Sequence, residues 1–330
     1  RKGQFKTGDL GVYIPEAAVL PEWIITFLGL TGRLAGKNKD RVKAVKLRGI
    51  LSQGLIFPIR KQRYVCAPDD ALEVEEGDVV TEFLGITKYE PPIPVHMSGE
   101  VFNAHGRTLG YDIENIKKYP DVFHENDIVM VTEKLHGTWC CFGWHPDVEC
   151  PIVTSKGLSG QGLAFYHNEA NEKNLYIRAY HGSFIDGVSA LDRIRNIFVA
   201  DLPVYLLGEV FGPGVQDLHY GVKEPQFRAF DIYVGSPGQG RYLSGHEFVT
   251  ACRSAGVDTV PVLYTGGFDR DVINELTDGK DNVTASHIRE GVVIREFVDI
   301  NAGPDPEIGR RILKSVSEAY LLRGEGTEYN

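Results

Sequence analysis

Apolar and polar positions alternate in short runs over the first ninety residues. The runs at 10–14, 41–48, 54–59 and 79–86 are separated by Thr7-Gly8-Asp9, Thr31-Gly32 and Glu76-Gly77-Asp78, the punctuation of consecutive short strands. No long helical period interrupts them. In Arg41-Val42-Lys43-Ala44 basic residues alternate with apolar ones, and after one extra residue, Val45, the alternation resumes as Lys46-Leu47-Arg48. A single slip of that kind is what a β-bulge produces, so a strand with a basic outer face and an apolar inner face is expected. Pro91-Pro92-Ile93-Pro94 cannot continue a central strand and opens a linker, expected over 91–111.

Beyond the linker, strands and helices mix. Residues 112–119 read as a short helix stopped by Pro120. Residues 127–132, DIVMVT, read as a strand that delivers Lys134 directly ahead of a turn at Gly137, and a second apolar run follows at 138–144. Ser244-Gly245-His246-Glu247 has capping-box spacing and starts a helix that ends near Gly256. Residues 186–198 form another amphipathic pattern, with Asp186 as N-cap and Val188, Leu191, Ile194 and Ile197 or Phe198 on one face. The expectation is an all-β domain over 1–90 and an α+β domain over 112–330.

Composition fits this division. The 330 residues are 42% hydrophobic and 24% charged, ordinary for two globular domains. The net charge of −10 hides an asymmetry: from Arg33 to Arg63 ten cations face only Asp40, a net +9 that leaves −19 for the remainder. A basic strand in a module of this size suggests a five-stranded barrel of the OB type, with Arg41, Lys43, Lys46 and Arg48 set to hold a nucleic-acid backbone. A solvated lysine-rich face accounts for the same segment equally well.

Five cysteines form no even framework, which fits a reducing compartment. Cys140, Cys141, His145 and Cys150 lack the Cys-x-x-Cys pair of a zinc site, and neighbouring strand residues point to opposite faces. The longest uncharged apolar run, 23–30, is too short to cross a bilayer, and no signal peptide is visible. The chain opens at Arg1, as one lacking a few leading residues would. The turns Ser159-Gly160-Gln161-Gly162 and Pro237-Gly238-Gln239-Gly240 match no phosphate loop.

The second domain places polar residues on apolar strands in a distinctive order. After Lys134-Leu135-His136-Gly137 come Ser155-Lys156, Gly208-Glu209, Phe230-Asp231, Glu290-Gly291 and Lys314. Singly, each reads as a satisfied core acid or a strand-end charge. A lysine between two half-buried strands suits a nucleophile, because burial and nearby cations favour the neutral amine.

Taken together, these motifs resemble the covalent nucleotidyltransferases: DNA ligases, RNA ligases and mRNA-capping enzymes. His136, with Glu133 before it and Thr138 after, resembles the RNA branch. Over essentially the whole chain, including Gly11-Val12-Tyr13-Ile14-Pro15, the sequence is similar to the Deinococcus/Naegleria type of ATP-dependent RNA ligase, in which an OB domain precedes the catalytic one. The resemblance implies an α+β nucleotidyltransferase (ATP-grasp-like ligase) fold. Sixteen residues follow Lys314, too few for the C-terminal OB domain of DNA ligases and capping enzymes. One position departs from the pattern. Ile312 and Val316 flank Lys314 where a second lysine is usual, and Arg310, on the same strand face, is the candidate substitute.

The resemblance further implies three phosphoryl transfers, from ATP to Lys134, from Lys134 to an RNA 5′-phosphate, and sealing by a 3′-hydroxyl. Lys134 and Lys314 are the expected catalytic residues. Glu133, His136, Gly137, Lys156, Glu209, Phe230, Glu290 and Lys314 are expected around the nucleotide, with Glu290 and Glu209 on Mg2+ or Mn2+. The expected partner is RNA with 5′-phosphate and 3′-OH ends in a nicked duplex, and the protein is expected to be a cytoplasmic monomer without membrane contact. The alternatives are a DNA ligase, a capping-type guanylyltransferase, or an OB-fold nucleic-acid-binding protein without activity.

Overall fold

The side chains of residues 128–134 explain the central architecture. Val129, Met130 and Val131 are all fully buried, yet Val129 and Val131 pack into one apolar cluster and Met130 into another. A strand that buries both faces reads as a continuous apolar run, which is the pattern seen in the sequence. The computed structural model describes residues 5–58, 74–89, 93–125, 127–199, 201–298 and 305–323. The chain divides into two compact units, Arg1–Glu90 and Pro91–Asn330.

In the second unit, strand Ile128–Lys134 lies between Val262–Gly267 and Gly291–Glu296, and the sheet continues through Ile312–Val316 to Glu114–Asn115. A second five-stranded sheet has the order Ile152–Ser155, Thr138–Trp144, Val204–Phe211, Gln226–Val234, Arg241–Tyr242. Leu135, His136 and Gly137 therefore carry the chain from one sheet to the other. Helices Leu175–Gly182, Ala190–Arg195 and Gly245–Ala255 bury Tyr176, Leu191, Ile194 and Phe248 in the same cluster as Phe142 and Leu206 of the second sheet. Helix Arg270–Thr277 adds Ile273 to the outer face of the first. Among the described residues no helix is long and apolar enough to cross a membrane.

Helix Gly245–Ala255 has the capping box foreseen, with Ser244 and Glu247 each bonded to the other's backbone, and it stops at left-handed Gly256, φ 60°. The other two helix expectations are corrected. The 186–198 pattern forms only Ala190–Arg195, capped by Ser189, because Asp186 (φ 50°) and Gly187 (φ 79°) hold the chain in a left-handed turn just before it. Residues 112–119 contain no helix. Glu114 and Asn115 pair in parallel with Leu313 and Lys314, and Ile116 N–H donates to Lys314 O at 2.9 Å, so the sheet edge supplies the backbone partners that a helix would have supplied. Residues expected as linker are partly structural: Val101–Asn103 pairs antiparallel with Leu163–Phe165, and Met97, Ala104 and Leu109 are buried.

The first unit packs Ile14, Leu20, Ile24, Ile25, Val42, Phe57 and Leu84 into one core. Its described ladders are Gly11–Pro15 with Gly54–Pro58, Ala18–Val19 with Thr87–Lys88, and Val45–Leu47 with Ile50–Ser52. The single bulged strand expected at 41–48 is replaced by two pieces. Buried Val42 and Ala44 alternate with half-buried Arg41 and Lys43. The chain then turns at Arg48 (φ 54°) and Gly49 (φ 84°), forming a tight hairpin, as positive φ at both central residues does. Residues 79–86 are not a strand, because Leu84 and Ile86 bond back to Val80 and Thr81. Helix Glu22–Leu28 was not foreseen; seven residues after Pro21 are too few to reveal a period. Ile59, Arg60, Lys61, Arg63, Cys66, Pro91 and Pro92 lie outside the described residues.

One buried charge cluster braces the second sheet. Asp231 is fully buried and accepts from Arg295 at 3.2 Å, from Arg310, and from the Tyr111 hydroxyl at 2.9 Å. Burial alone would push its carboxyl up, but Arg295 and Arg310 hold it below the usual carboxylate value. A depressed folded-state value means that the stability it contributes is present above about pH 4 and is lost as pH falls below that. Asp231→Asn leaves Arg295 buried without its counter-charge and should destabilise by about 3–5 kcal/mol at pH 7. Urea unfolding should show that difference shrinking below about pH 4.

Candidate active site

Lys134 is the last residue of its strand, opposite Gly291 in the neighbouring strand. The ladder sets it beside Glu290, whose Oε1 accepts from the Lys134 ammonium. Glu290 is buried and Lys134 only half-buried. The turn that follows must pass close to strand Val204–Phe211. A Cβ on Gly137 would stand 2.2 Å from Val210 O, so only glycine fits there.

His136 is buried within the turn, and its backbone N–H and both ring nitrogens are engaged. Its backbone N–H donates to the Tyr220 hydroxyl at 2.6 Å, its Nε2 lies 2.7 Å from Asp217 Oδ1, and its Nδ1 lies 2.8 Å from the Tyr320 hydroxyl. Nδ1 is also 3.8 Å from Glu290 Oε2. Gln216 donates to Gly137 O, fixing the next residue.

Glu209, paired across the ladder with Trp139 and Arg228, faces the same charges. Burial pushes its carboxyl up to about 8, against the pull of Lys134 and with the added push of Glu290. Lys314 is lowered by burial and then by the Lys134 cation, with Asp112 opposing and Lys156 adding to the shift. Lys156 opens the short helix Lys156–Ser159 and lies 3.5 Å from Asp112. The structure thus brings Lys134, Lys156 and Lys314 into one field with Glu209 and Glu290. Two carboxylates that repel each other beside a lysine suit a hard cation that keeps most of its waters. Among the described residues no group of three or more His, Cys, Asp or Glu side chains could hold a metal.

Phe230 occupies a bulge. Leu207 pairs with Asp231 and Gly208 with Ala229, which leaves Phe230 unmatched in the ladder, a device that re-aims a side chain. Its ring packs against Tyr111, tilted by 37° with centroids 5.2 Å apart, and its carbonyl accepts from Arg295 at 3.0 Å. Arg310, the candidate for the second phosphate contact, is turned toward Asp231. Its guanidinium is bonded to buried Asp231 and lies 4.2 Å over the Tyr242 ring, so its charge is already answered. Glu133 turns to another loop: Oε2 accepts from Asn282 N–H at 2.7 Å, and Oε1 is buried without a hydrogen-bond partner among the described residues. The basic residues Arg41, Lys43, Lys46 and Arg48 belong to the first unit; Arg41 lies 4.2 Å over the Tyr89 ring, and Lys46 and Arg48 are exposed. Asp217, Tyr220, Tyr320 and Arg323 were missed in the sequence, where they are single polar residues with no spacing to mark them.

A family model for RNA ligase matches residues 127–316, and one for an OB-fold domain matches residues 1–59. The fold is similar to the Naegleria gruberi RNA ligase solved with pyrophosphate, at 25% identity and a TM-score of 0.72, covering 97% of this chain and 88% of that one. A variant of that ligase with ATP and Mn matches at 25% identity and a TM-score of 0.72, with 97% and 88% covered. A variant with AMP and Mn matches at 24% and 0.73, with the same coverage. No curated protein matches the sequence.

Burial raises the Glu133 carboxyl to about 7, against the Asn282 amide and Arg289. A raised folded-state value means the ionised group opposes folding. That cost is absent below about pH 4.3, grows up to pH 7, and reaches on the order of 3 kcal/mol above it. Glu133→Gln should therefore gain stability relative to the parent as pH rises from 4.5 to 7.5, measured by urea unfolding across that range. A flat difference would show that the carboxylate is compensated.

Proposed function

We propose that this chain, which belongs to the RNA ligase family, seals RNA 3′-hydroxyl and 5′-phosphate ends through an AMP carried on Lys134. The observation that carries the residue assignment is the pairing of Lys134 with Glu290 at the turn between the sheets, with Lys314 in the same field. Glu290 holds the amine in place and is the nearest base for the proton that the amine must lose before attack. The Lys134 Nζ lone pair then forms a bond to the α-phosphorus of ATP as the bond to pyrophosphate breaks. In the second transfer an RNA 5′-phosphate oxygen displaces Lys134 from that phosphorus. In the third, a 3′-hydroxyl oxygen attacks the RNA phosphate, and AMP leaves.

These steps need in-line positioning and neutralisation of spread charge more than covalent help from the protein. Lys314 and Lys156 are the cations for the phosphates, and Phe230 is the stacking surface for the base. Glu209 has two uses open to it, the ribose hydroxyls or the metal. Mg2+ or Mn2+ held by Glu290 and Glu209 would neutralise phosphate charge. Glu133 contributes by bracing the 281–289 loop that leads into Glu290. The substrate is a nicked duplex, gripped through Arg41, Lys43, Lys46 and Arg48, and the protein acts as a cytoplasmic monomer.

Two experiments test this reading. Incubated with labelled ATP and a divalent metal, the parent should retain label through denaturing electrophoresis, and Lys134→Ala should lose it entirely while remaining folded. Label persisting on the variant would remove Lys134 as nucleophile. Replacing Arg41, Lys43, Lys46 and Arg48 by alanine should leave that labelling near the parental rate. It should also weaken RNA binding and lower the log–log salt slope by roughly 0.7 to 0.9 for each lost phosphate contact. An unchanged slope would assign the basic face to solvent.

A further inference from the structure

We propose that Asp217, Tyr320 and Arg323 are positioning residues that hold His136, and through it Glu290, in register with Lys134. The inference rests on the reading of Lys134 as the nucleophile. It concerns residues that no sequence motif marks.

The geometry forms a continuous chain. The guanidinium of Arg323 donates from Nε to Asp217 Oδ2 at 3.0 Å, and the guanidinium lies 3.5 Å over the Tyr320 ring. Arg323 Nη1 also donates to Tyr320 O at 2.9 Å. Asp217 Oδ1 and the Tyr320 hydroxyl then take the two imidazole nitrogens of His136 from opposite sides, at 2.7 and 2.8 Å. The imidazole, only 2% exposed, stands 3.8 Å from Glu290 Oε2, and the other oxygen of Glu290 holds Lys134. Four segments far apart in the sequence therefore meet at one ring.

A ring gripped at both nitrogens cannot flip or swing, so its edge is a fixed wall for Glu290. Burial pushes the Asp217 carboxyl up, but hydrogen bonds from His136 and Arg323 outweigh that and hold it well below the usual carboxylate range. Asp217 is thus a permanent anion at working pH. A buried charged network is a poor source of net stability compared with apolar packing. It is a good source of fixed orientation, and misplacement by about 1 Å at a reacting group can cost about 100-fold in rate. The competing account is that the network merely pins helix Glu318–Leu322 to the core.

The two accounts separate in single-turnover formation of lysyl-AMP, followed with the full chain, labelled ATP and Mg2+. Asp217→Asn keeps the shape and removes the charge, and Tyr320→Phe removes one hydroxyl. Both should slow labelling at saturating ATP by about 10- to 100-fold, with half-saturation by ATP within about twofold of the parent. Arg323→Lys, which keeps a cation on Asp217, should retain most of the rate that Arg323→Ala loses. Tyr176→Phe is the control. It deletes a buried hydroxyl bonded to Thr138 at 2.8 Å, a comparable loss that does not touch His136, and should label at the parental rate. Unchanged rates in Asp217→Asn and Tyr320→Phe would overturn the inference. So would losses that track melting temperature and are shared by Tyr176→Phe. A parent that takes no label would overturn the ligase reading and this inference with it.

Discussion

The contact between Lys134 and Glu290 imposes the main demand on the second unit. An amine and a carboxylate must meet where one sheet hands the chain to the other, and both must remain able to separate. The ladder between Ile128–Lys134 and Gly291–Glu296 meets the first requirement, since pairing Lys134 with Gly291 sets Glu290 alongside. Partial exposure of Lys134 meets the second. The strand that carries Lys134 buries Val129, Met130 and Val131, so its one cation stands at the strand end, clear of the apolar core.

The charges around that pair explain each other. Three lysines alone would repel, and burial with a second acid beside it already pushes Glu209 up to about 8. Interleaved, the acids tolerate burial and the cations tolerate crowding, as the opposing pulls on Glu209 and Lys314 record. A polyphosphate entering such a site exchanges one set of counter-charges for another. That exchange favours phosphoryl transfer over chemistry that needs a single strong acid or base.

What was legible in the sequence was whatever strand periodicity and turn residues encode. The strand that carries Lys134, the glycine turn after it, and the apolar runs holding Glu209 and Glu290 could all be read from alternation and punctuation. The capping box at Ser244 was equally plain, because its two hydrogen bonds need only local spacing. Residues 112–119 were misread because their edge pairing with Leu313 and Lys314 is decided two hundred residues away. The hairpin at Arg48 was misread for a different reason. An arginine at positive φ is uncommon, and the following glycine permitted either a bulge or a turn. Asp217 and Tyr320 were invisible because a side-chain network formed by tertiary packing leaves no period.

Arg310 shows how position in a motif can mislead about chemistry. The sequence expectation put it on a strand face with Lys314, and a guanidinium is a good phosphate ligand, but the strand begins only at Ile312. Yet Asp231, fully buried, needs a counter-charge that Arg295 alone would have to supply. Tyr111 hydrogen-bonds the same carboxylate and packs its ring against Phe230, and Arg295 holds the Phe230 carbonyl. Arg310 therefore acts in the bracing of the Phe230 bulge, and releasing it to a phosphate would leave Asp231 underpaired at a cost of several kcal/mol. Any second phosphate contact has to come from a cation not already committed to a buried acid. Among the described residues Lys156 has a 3.5 Å contact with exposed Asp112 to give up, a surface pairing of roughly 0 to 1 kcal/mol. By that comparison Lys156, at the head of its own short helix, gives up less than Arg310 would.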